Sequence, residues 1–328
     1  MIPFRGLAAL LVTTALASAQ SKPIIVDTDA GSDDIMAVSL LLAHPSVRLD
    51  AVTVVNGLAH VDAGARNMGR LLDLAGRKNV PVFAGRSTPL RGNNEFPAEW
   101  RKISDDFPIL KLAAPRPPEH KRAADYLVEH LRSAREPVQI LALGPLTNLA
   151  EAYERDHSIA RNIAEIVLMG GAVRVPGNLQ DGGVFHTSNS TAEWNIFIDP
   201  IAARIIFRSG IPIRLIALDA TNKVKISPEF LFEFAEKPHS ALGAVVAGVL
   251  EADRESIDQG IFYAWDPLAA AALLKPAIVK TVPMHIVIQE DAPEEGRTTE
   301  SAGAPNTKVA VDADAASFLA LFSESFAK

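Results

Sequence analysis

The sequence predicts an α/β protein: one domain built on a mainly parallel central sheet, with helices on both faces. Three observations carry that expectation. Short apolar runs rich in β-branched residues alternate with segments of helical periodicity, the pattern of βαβ units. No internal repeat and no low-complexity linker divides the 328 residues. The composition, 48% hydrophobic and 22% charged, allows a sizeable core.

The elements follow in order. Pro23–Asp27 is a compact apolar run and reads as the first strand; helical periodicity then takes over across Asp34–Ala43. A second strand at Leu49–Val55 leads to a helix at Val61–Leu74. Thr88–Arg122 is rich in proline and charge and reads as an insertion or surface loop. The alternation resumes with strand Val138–Leu143, helix Thr147–Tyr153, strand Glu165–Met169, helix Pro200–Arg208 and strand Ile213–Leu218. Helices at Ala241–Asp258 and Pro267–Leu274 and a strand at His285–Gln289 complete the expected set, with Gln289–Thr307 as a second surface loop. Strands buried on both faces read as continuous apolar runs, as these do.

Residues 1–19 have the pattern of a secretory leader and stand apart from the domain at 20–328. Arg5 supplies the positive n-region, Leu7 to Leu16 an apolar run, and Ala17-Ser18-Ala19 a small-residue cleavage site. The expected location is periplasmic or extracellular, with no membrane attachment after cleavage; an uncleaved N-terminal anchor is the alternative. The chain has no cysteine, so disulfides and thiolate metal ligands are excluded. A net charge of −7 and a pI near 5.7 argue against a nucleic-acid partner and favour a small neutral substrate.

Four aspartates fall within eight residues, Asp27-Thr-Asp29-Ala-Gly-Ser-Asp33-Asp34, directly after the first strand. Two bare carboxylates at ~4 Å repel by roughly 4 kcal/mol in a surface-like dielectric. A cation relieves that crowding, and hard divalent ions, calcium or magnesium, take all-oxygen ligands. In open α/β sheets ligands bind beyond the carboxyl ends of the strands. Asp27 and Asp29, Asn56, Gly144-Pro145-Leu146-Thr147-Asn148 and Gly170-Gly171 all follow expected strands. The Gly-Pro-Leu-Thr-Asn segment also reads as a turn with a helix cap, and the two readings are compatible.

The string Ile25-Val26-Asp27-Thr28-Asp29-Ala30-Gly31-Ser32-Asp33-Asp34 resembles the N-terminal motif of the nucleoside hydrolases, the inosine–uridine-preferring superfamily. Further matches follow in the family's order: Pro81–Gly85, Leu143–Leu149, Val167–Gly171, Glu193-Trp194-Asn195-Ile196 and Trp265-Asp266-Pro267. The likeness spans residues 23 to 275. It implies a Rossmann-like fold, a tightly held Ca²⁺ and hydrolysis of the N-glycosidic bond of ribonucleosides. It further implies a dimer or tetramer and, with the leader, salvage of extracellular nucleosides.

Carried over by position, Asp29, Asp34 and Asp266 match metal-binding carboxylates, and Thr147 matches the residue whose main-chain carbonyl completes the shell. Asp33, Asn178, Glu193 and Asn195 match residues that hold the ribose hydroxyls. Asp29 is then the proton acceptor for a metal-oriented water. Asp27 supports the loop, or simply accepts hydrogen bonds from loop amides.

Three departures carry information. Ala30 stands where the family usually has proline. Val55-Asn56-Gly57 replaces a Gly-Asn order, which shifts the Asn56 side chain by one position. Trp265 stands where many members have the histidine that protonates the leaving base. With Trp194 between Glu193 and Asn195, this resembles the purine-preferring branch, in which tryptophans sandwich the base; Trp265 and Trp100 are the expected pair. Core packing is the competing reading for each tryptophan, and Trp194 is expected to pack under the sugar. Tyr263 and His186 are alternative acids. A broad-specificity or pyrimidine hydrolase, a non-catalytic exported metal- or nucleoside-binding protein, and a phosphohydrolase of the haloacid-dehalogenase type are the rival functions.

Overall fold

The computed structural model describes residues 22–237 and 240–327; the leader expected at residues 1–19 lies outside the described residues. Nine strands form one sheet: β1 (Pro23–Thr28), β2 (Arg48–Val54), β3 (Val82–Ala84), β4 (Val138–Ala142), β5 (Ile163–Met169), β6 (Ile213–Ile216), β7 (Val279–Ile288), β8 (Thr298–Ser301) and β9 (Thr307–Ala313). Their order is β3-β2-β1-β4-β5-β6-β9-β7-β8. Every pairing from β3 through to β9 is parallel, whereas β7 runs antiparallel to both β9 and β8.

The chain builds outward from β1 to β2 and β3, then returns to place β4 on the other flank of β1. The carboxyl ends of β1 and β4 therefore border a topological switch point, where a parallel sheet opens a crevice. β1 is buried along its whole length, including Asp27. Its apolar members have a partner layer on each face, because helices cover both sides of a parallel sheet.

Helix Ser32–Leu42 begins three residues after Asp29 and buries Ile35, Met36, Val38, Leu40 and Leu41. Helix Trp265–Leu274 packs on it, and its Leu268, Ala269 and Ala272 are buried in the same apolar core. Small alanines let the two helices approach closely. This packing carries a residue from the far end of the chain to the first strand's carboxyl end.

Several expectations need correction. Thr88–Arg122 is not merely loop: it contains helix Ala98–Asp105 and a 3₁₀ turn at Pro108–Leu112. Gln289–Thr307 contains β8, an edge strand in which only Thr298 is buried, so its pattern has no apolar face. β3 is three residues long, and β9 alternates in a stretch with few branched apolar residues. The expected helix Ala241–Asp258 breaks at Asp253 into Ala241–Ala252 and Arg254–Asp258. Among the described residues no helix is long and apolar enough to cross a membrane.

Candidate functional site

At the end of β1 the chain turns sharply. Ala30 adopts φ 61°, a left-handed conformation closed to proline, and its N–H donates to Thr28 Oγ1 at 3.1 Å. The turn places Gly31 at the N-cap of helix Ser32–Leu42. Asp34, in the first helical turn, accepts from the Gly31 N–H at 2.9 Å through Oδ2 and from the Thr28 hydroxyl through Oδ1. A carboxylate here also faces the positive end of the helix dipole.

Carboxylate oxygens of Asp33, Asp34 and Asp266 lie within 4.8 Å of one another. Asp34 and Asp266 are buried, and Asp33 is half-buried. Asp266 arrives from the first turn of helix Trp265–Leu274. Asp29 is not one of these three, but it stands beside Asp34, whose negative charge acts on its carboxyl. The acidic residues from the two ends of the chain thus meet.

Electrostatics report the crowding. Burial, followed by the charges of Asp33, Asp34 and Asp29, drives the Asp266 carboxyl well above the usual range. Burial and then the Asp34 charge do the same to Asp29 and to Asp33. Asp266 Oδ1 is buried without any hydrogen-bond partner. An orphaned buried carboxylate oxygen amid other carboxylates is what a hard cation satisfies, and the donors are oxygens alone. The residues present fit Ca²⁺.

Asp29 is enclosed by two glycine turns. A Cβ on Gly57 would lie 2.1 Å from Asp29 Oδ2, and one on Gly144 would lie 2.9 Å from Asp29 Cβ. Leu58 N–H donates to Asp29 Oδ2 at 2.9 Å. Asn56, at the apex of the first turn, is 2% exposed, and its Oδ1 accepts from Arg101 Nη2 at 3.1 Å. Thr147 is buried in the first turn of helix Thr147–Arg155 after β4. Its hydroxyl donates to Asp199 at 2.7 Å, which leaves the main-chain carbonyl as the group it could offer an ion.

Of the residues expected at the sugar, Asp33 lies in the acidic cluster, and Asn178, Glu193 and Asn195 form a second group at the carboxyl ends of β4 and β5. Asn195 Nδ2 donates to the carbonyls of Leu143 at 3.1 Å and Met169 at 3.2 Å. Glu193 caps helix Trp194–Ile198 and accepts from the N–H groups of Gly171, Asn195 and Ile196. Burial raises its carboxyl to about 7 against the lowering effect of those amides. Asn178 Oδ1 accepts from Trp194 N–H at 3.2 Å. The Leu143–Gly144 turn joins this group to Asp29.

Asp27 lies beneath, accepting from Thr53 Oγ1 at 2.6 Å and Asn148 Nδ2 at 2.8 Å; its partners are side chains rather than loop amides. Burial pushes it up to about 7.

The tryptophans divide between two flanks. Trp265 is half-buried beside Asp266, with ring centroids 5.3 Å from Phe262 and 5.9 Å from Tyr263. Trp100 lies 5.6 Å edge-on to Trp194, which is 5% exposed and stacked on Phe96 at 4.7 Å. His186 is exposed.

Sequence reasoning passed over Thr28, Arg101, Asp199 and Asp253. Asp199 had a signal, since an aspartate before a proline is a helix-cap pattern, and it caps helix Pro200–Phe207. Asp253 Oδ2 is buried without a partner, and burial raises the carboxyl to about 7.

Residues 24–320 match the family model for inosine-uridine preferring nucleoside hydrolase. The chain is 32% identical over 323 residues to a protein of Klebsiella pneumoniae called pyrimidine-specific ribonucleoside hydrolase RihA, covering 93% of this chain and 98% of that one. It is 34% identical over 260 residues to uridine nucleosidase 1 of Arabidopsis thaliana, covering 78% of this chain and 74% of that one. Among solved structures, the inosine-uridine preferring hydrolase of Bacillus anthracis aligns with a TM-score of 0.81 at 28% identity, covering 93% and 99% of the two chains. A purine-preferring ribonucleoside hydrolase of Gardnerella vaginalis aligns with a TM-score of 0.75 at 28% identity, covering 93% and 98%.

Proposed function

The chain belongs to the inosine-uridine preferring nucleoside hydrolases, and from that membership we propose that it hydrolyses the N-glycosidic bond of ribonucleosides, purine ribonucleosides by preference, to free base and ribose. The observation that carries the reading is the meeting of Asp33, Asp34 and Asp266 within 4.8 Å, with Asp29 beside Asp34.

Asp29, Asp34, Asp266 and the Thr147 carbonyl would hold a calcium ion, which when bound supplies a Lewis acid that makes water a stronger nucleophile. Asp29 takes a proton from the attacking water, its Oδ2 being aligned by the Leu58 N–H. Water oxygen bonds to the anomeric carbon as the carbon–nitrogen bond breaks, and the electron pair leaves with the base, which gains a proton. Asp33, Asn178, Glu193 and Asn195 orient the ribose by its hydroxyls, and the backbone anchors of the last three keep that frame rigid. A sugar without those hydroxyls leaves buried polar groups unpaired, so deoxynucleosides are poor substrates.

Trp265 carries the purine preference. It stands in the first helical turn, immediately before Asp266, and offers a large ring face to a base at the site. Trp100, edge-on to Trp194 beside Glu193 and Asn195, is the second ring of the proposed pair. The names of the Klebsiella and Arabidopsis relatives favour a second reading, pyrimidine turnover. One assay separates them: base release from inosine, adenosine, guanosine, uridine and cytidine at equal concentration. Inosine or another purine ribonucleoside is expected to be cleaved at least about 10-fold faster than uridine, a difference of ~1.4 kcal/mol. Faster uridine cleavage overturns the purine reading, and release of phosphate from a phosphate ester without release of base overturns the hydrolase reading.

Gly57→Ala tests the cradle around Asp29. The new methyl would sit 2.1 Å from Asp29 Oδ2, so the carboxylate or the turn has to move. A displacement of ~1 Å lowers rates by about 100-fold, and that loss in kcat is expected although every catalytic side chain is retained. An unaltered kcat would show that the turn gives way freely.

Export through the leader read at residues 1–19 would place this activity outside the cytoplasm, for use of extracellular nucleosides. Detection of the processed protein in periplasmic or culture fractions tests that placement.

A further inference from the structure

Arg101 is 7% exposed, yet it is not close-paired to the acidic cluster. Its Nη2 donates to Asn56 Oδ1 at 3.1 Å, and its Nη1 donates to Glu95 Oε2 at 3.1 Å. Asn56 lies in a turn that packs against Asp29 and its strand end. Val55 N–H donates to the Thr28 carbonyl at 2.9 Å, Ala59 N–H to the Asp29 carbonyl at 2.9 Å, and Leu58 N–H to Asp29 Oδ2 at 2.9 Å. Gly57 fills the remaining contact, without room for a side chain.

A guanidinium has donors and no acceptor, so it selects the oxygen end of the Asn56 carboxamide. The NH₂ end has no hydrogen-bond partner among the described residues. The carboxamide thereby has one orientation, with its donors directed away from Arg101. Arg101 is itself held firmly. Its helix, Ala98–Asp105, is tied to the turn's far side by His60 N–H donating to Asp105 Oδ1 at 2.8 Å and by Asn67 Nδ2 donating to the Ser104 carbonyl at 3.1 Å. Trp100, the preceding residue, packs edge-on against Trp194.

We propose that Arg101 is a positioning residue for hydrolysis, which fixes the Asn56–Leu58 turn against Asp29 and presents the Asn56 NH₂ to the substrate. This rests on the proposed nucleoside hydrolysis. It makes the segment after β3 part of the catalytic frame, and it accounts for the Asn56-Gly57 order: glycine next to Asp29 gives room, and asparagine before it gives the pin.

The test is a double-mutant cycle on the full protein, with the nucleoside that the wild type cleaves fastest. Arg101→Met and Asn56→Ala are each expected to lower kcat by roughly 10- to 100-fold, the equivalent of losing a hydrogen bond to a charged group. KM should change by less than about 3-fold, since the loss falls on orientation rather than on uniform binding. The double variant should be no more than about 3-fold slower than the slower single variant, because both remove one interaction. Arg101→Lys, a point donor that cannot serve Asn56 and Glu95 as a fork, should fall between wild type and Arg101→Met. Calcium content and melting temperature are measured beside each rate. Should Arg101→Met fail to fold, Asn56→Asp carries the test. It keeps the acceptor for Arg101 and loses the NH₂, so a folded, metal-replete and slow variant supports the proposal, and a wild-type rate overturns it. Multiplicative losses in the double variant, a wild-type rate in Arg101→Met, or losses that track metal content overturn it too. Absence of base release by the wild type itself would instead remove the activity on which the proposal stands.

Discussion

Asp29→Ala is expected to reduce base release by about 1,000-fold or more, the range a general base contributes, while the protein remains folded. The Asp29 carboxylate accepts from the Leu58 N–H and otherwise stands against the charge of Asp34. Removing it also relieves repulsion, because burial and then the Asp34 charge hold its carboxyl well above the usual range. The metal-free variant should therefore melt within a few degrees of metal-free wild type. Chromatographic measurement of free base and a thermal melt by circular dichroism check both halves. A rate within threefold of wild type would remove Asp29 from the chemistry.

The second large effect concerns the ion and pH. In the metal-free protein, Asp27 and Glu193 are each pushed up to about 7, and Asp29, Asp33 and Asp266 are all raised, by burial in every case first. A carboxyl that is raised on folding holds its proton more tightly in the folded chain than in the unfolded one. Between the ordinary carboxylate range, ~4, and about 7, the folded state binds more protons, so stability falls as pH rises through that window. Metal-free protein is expected to be most stable at mildly acidic pH. Calcium binds the ionised form of its ligands, so its stabilising effect grows as pH rises. At about 100 times its dissociation constant a ligand adds ~2.7 kcal/mol, which for a domain of this size is a shift in Tm of roughly 4 °C. That shift should be larger at about pH 8 than at about pH 5. Calorimetry of chelator-treated and calcium-loaded protein at both pH values measures it. A calcium response that is absent, or equal at both pH values, would contradict an acidic cage for the ion.

The two predictions separate what the aspartates do. Asp29→Ala removes a proton acceptor and leaves Asp33, Asp34 and Asp266 together within 4.8 Å. Chelation removes the charge that offsets the mutual repulsion of the whole group. Metal content that survives in Asp29→Ala, alongside lost activity, would place Asp29 mainly in the chemistry; loss of both would place it mainly in the shell.

Part of the site is legible before any fold is known. The run Asp27–Asp34 after an apolar strand declares a carboxylate cluster, because crowded like charges need a reason to be together. The parallel sheet is legible too, in apolar runs separated by helical periodicity. Elements whose patterns are weak escaped: three-residue β3, polar edge strand β8, and β9, whose place between β6 and β7 comes from pairing with distant partners. Helix Ala98–Asp105 was hidden by the prolines and charges around it, and with it the bond from Arg101 to Asn56, residues 45 positions apart.

The sequence by itself determined the chemistry available here: oxygen-only ligands, a Trp in place of a histidine before Asp266, and glycines where a chain must pass close. Residue type and short-range spacing are local properties, and they survive without knowledge of the fold. Tertiary structure alone decided which of these groups meet. The return of the chain across β1 opens the crevice, and the packing of helix Trp265–Leu274 on helix Ser32–Leu42 delivers Asp266 to Asp34. Packing also gave Glu193 the Gly171 amide, Thr147 its Asp199 partner and Asn56 its fixed amide. Such contacts depend on burial between segments far apart in the chain, and no local pattern encodes them.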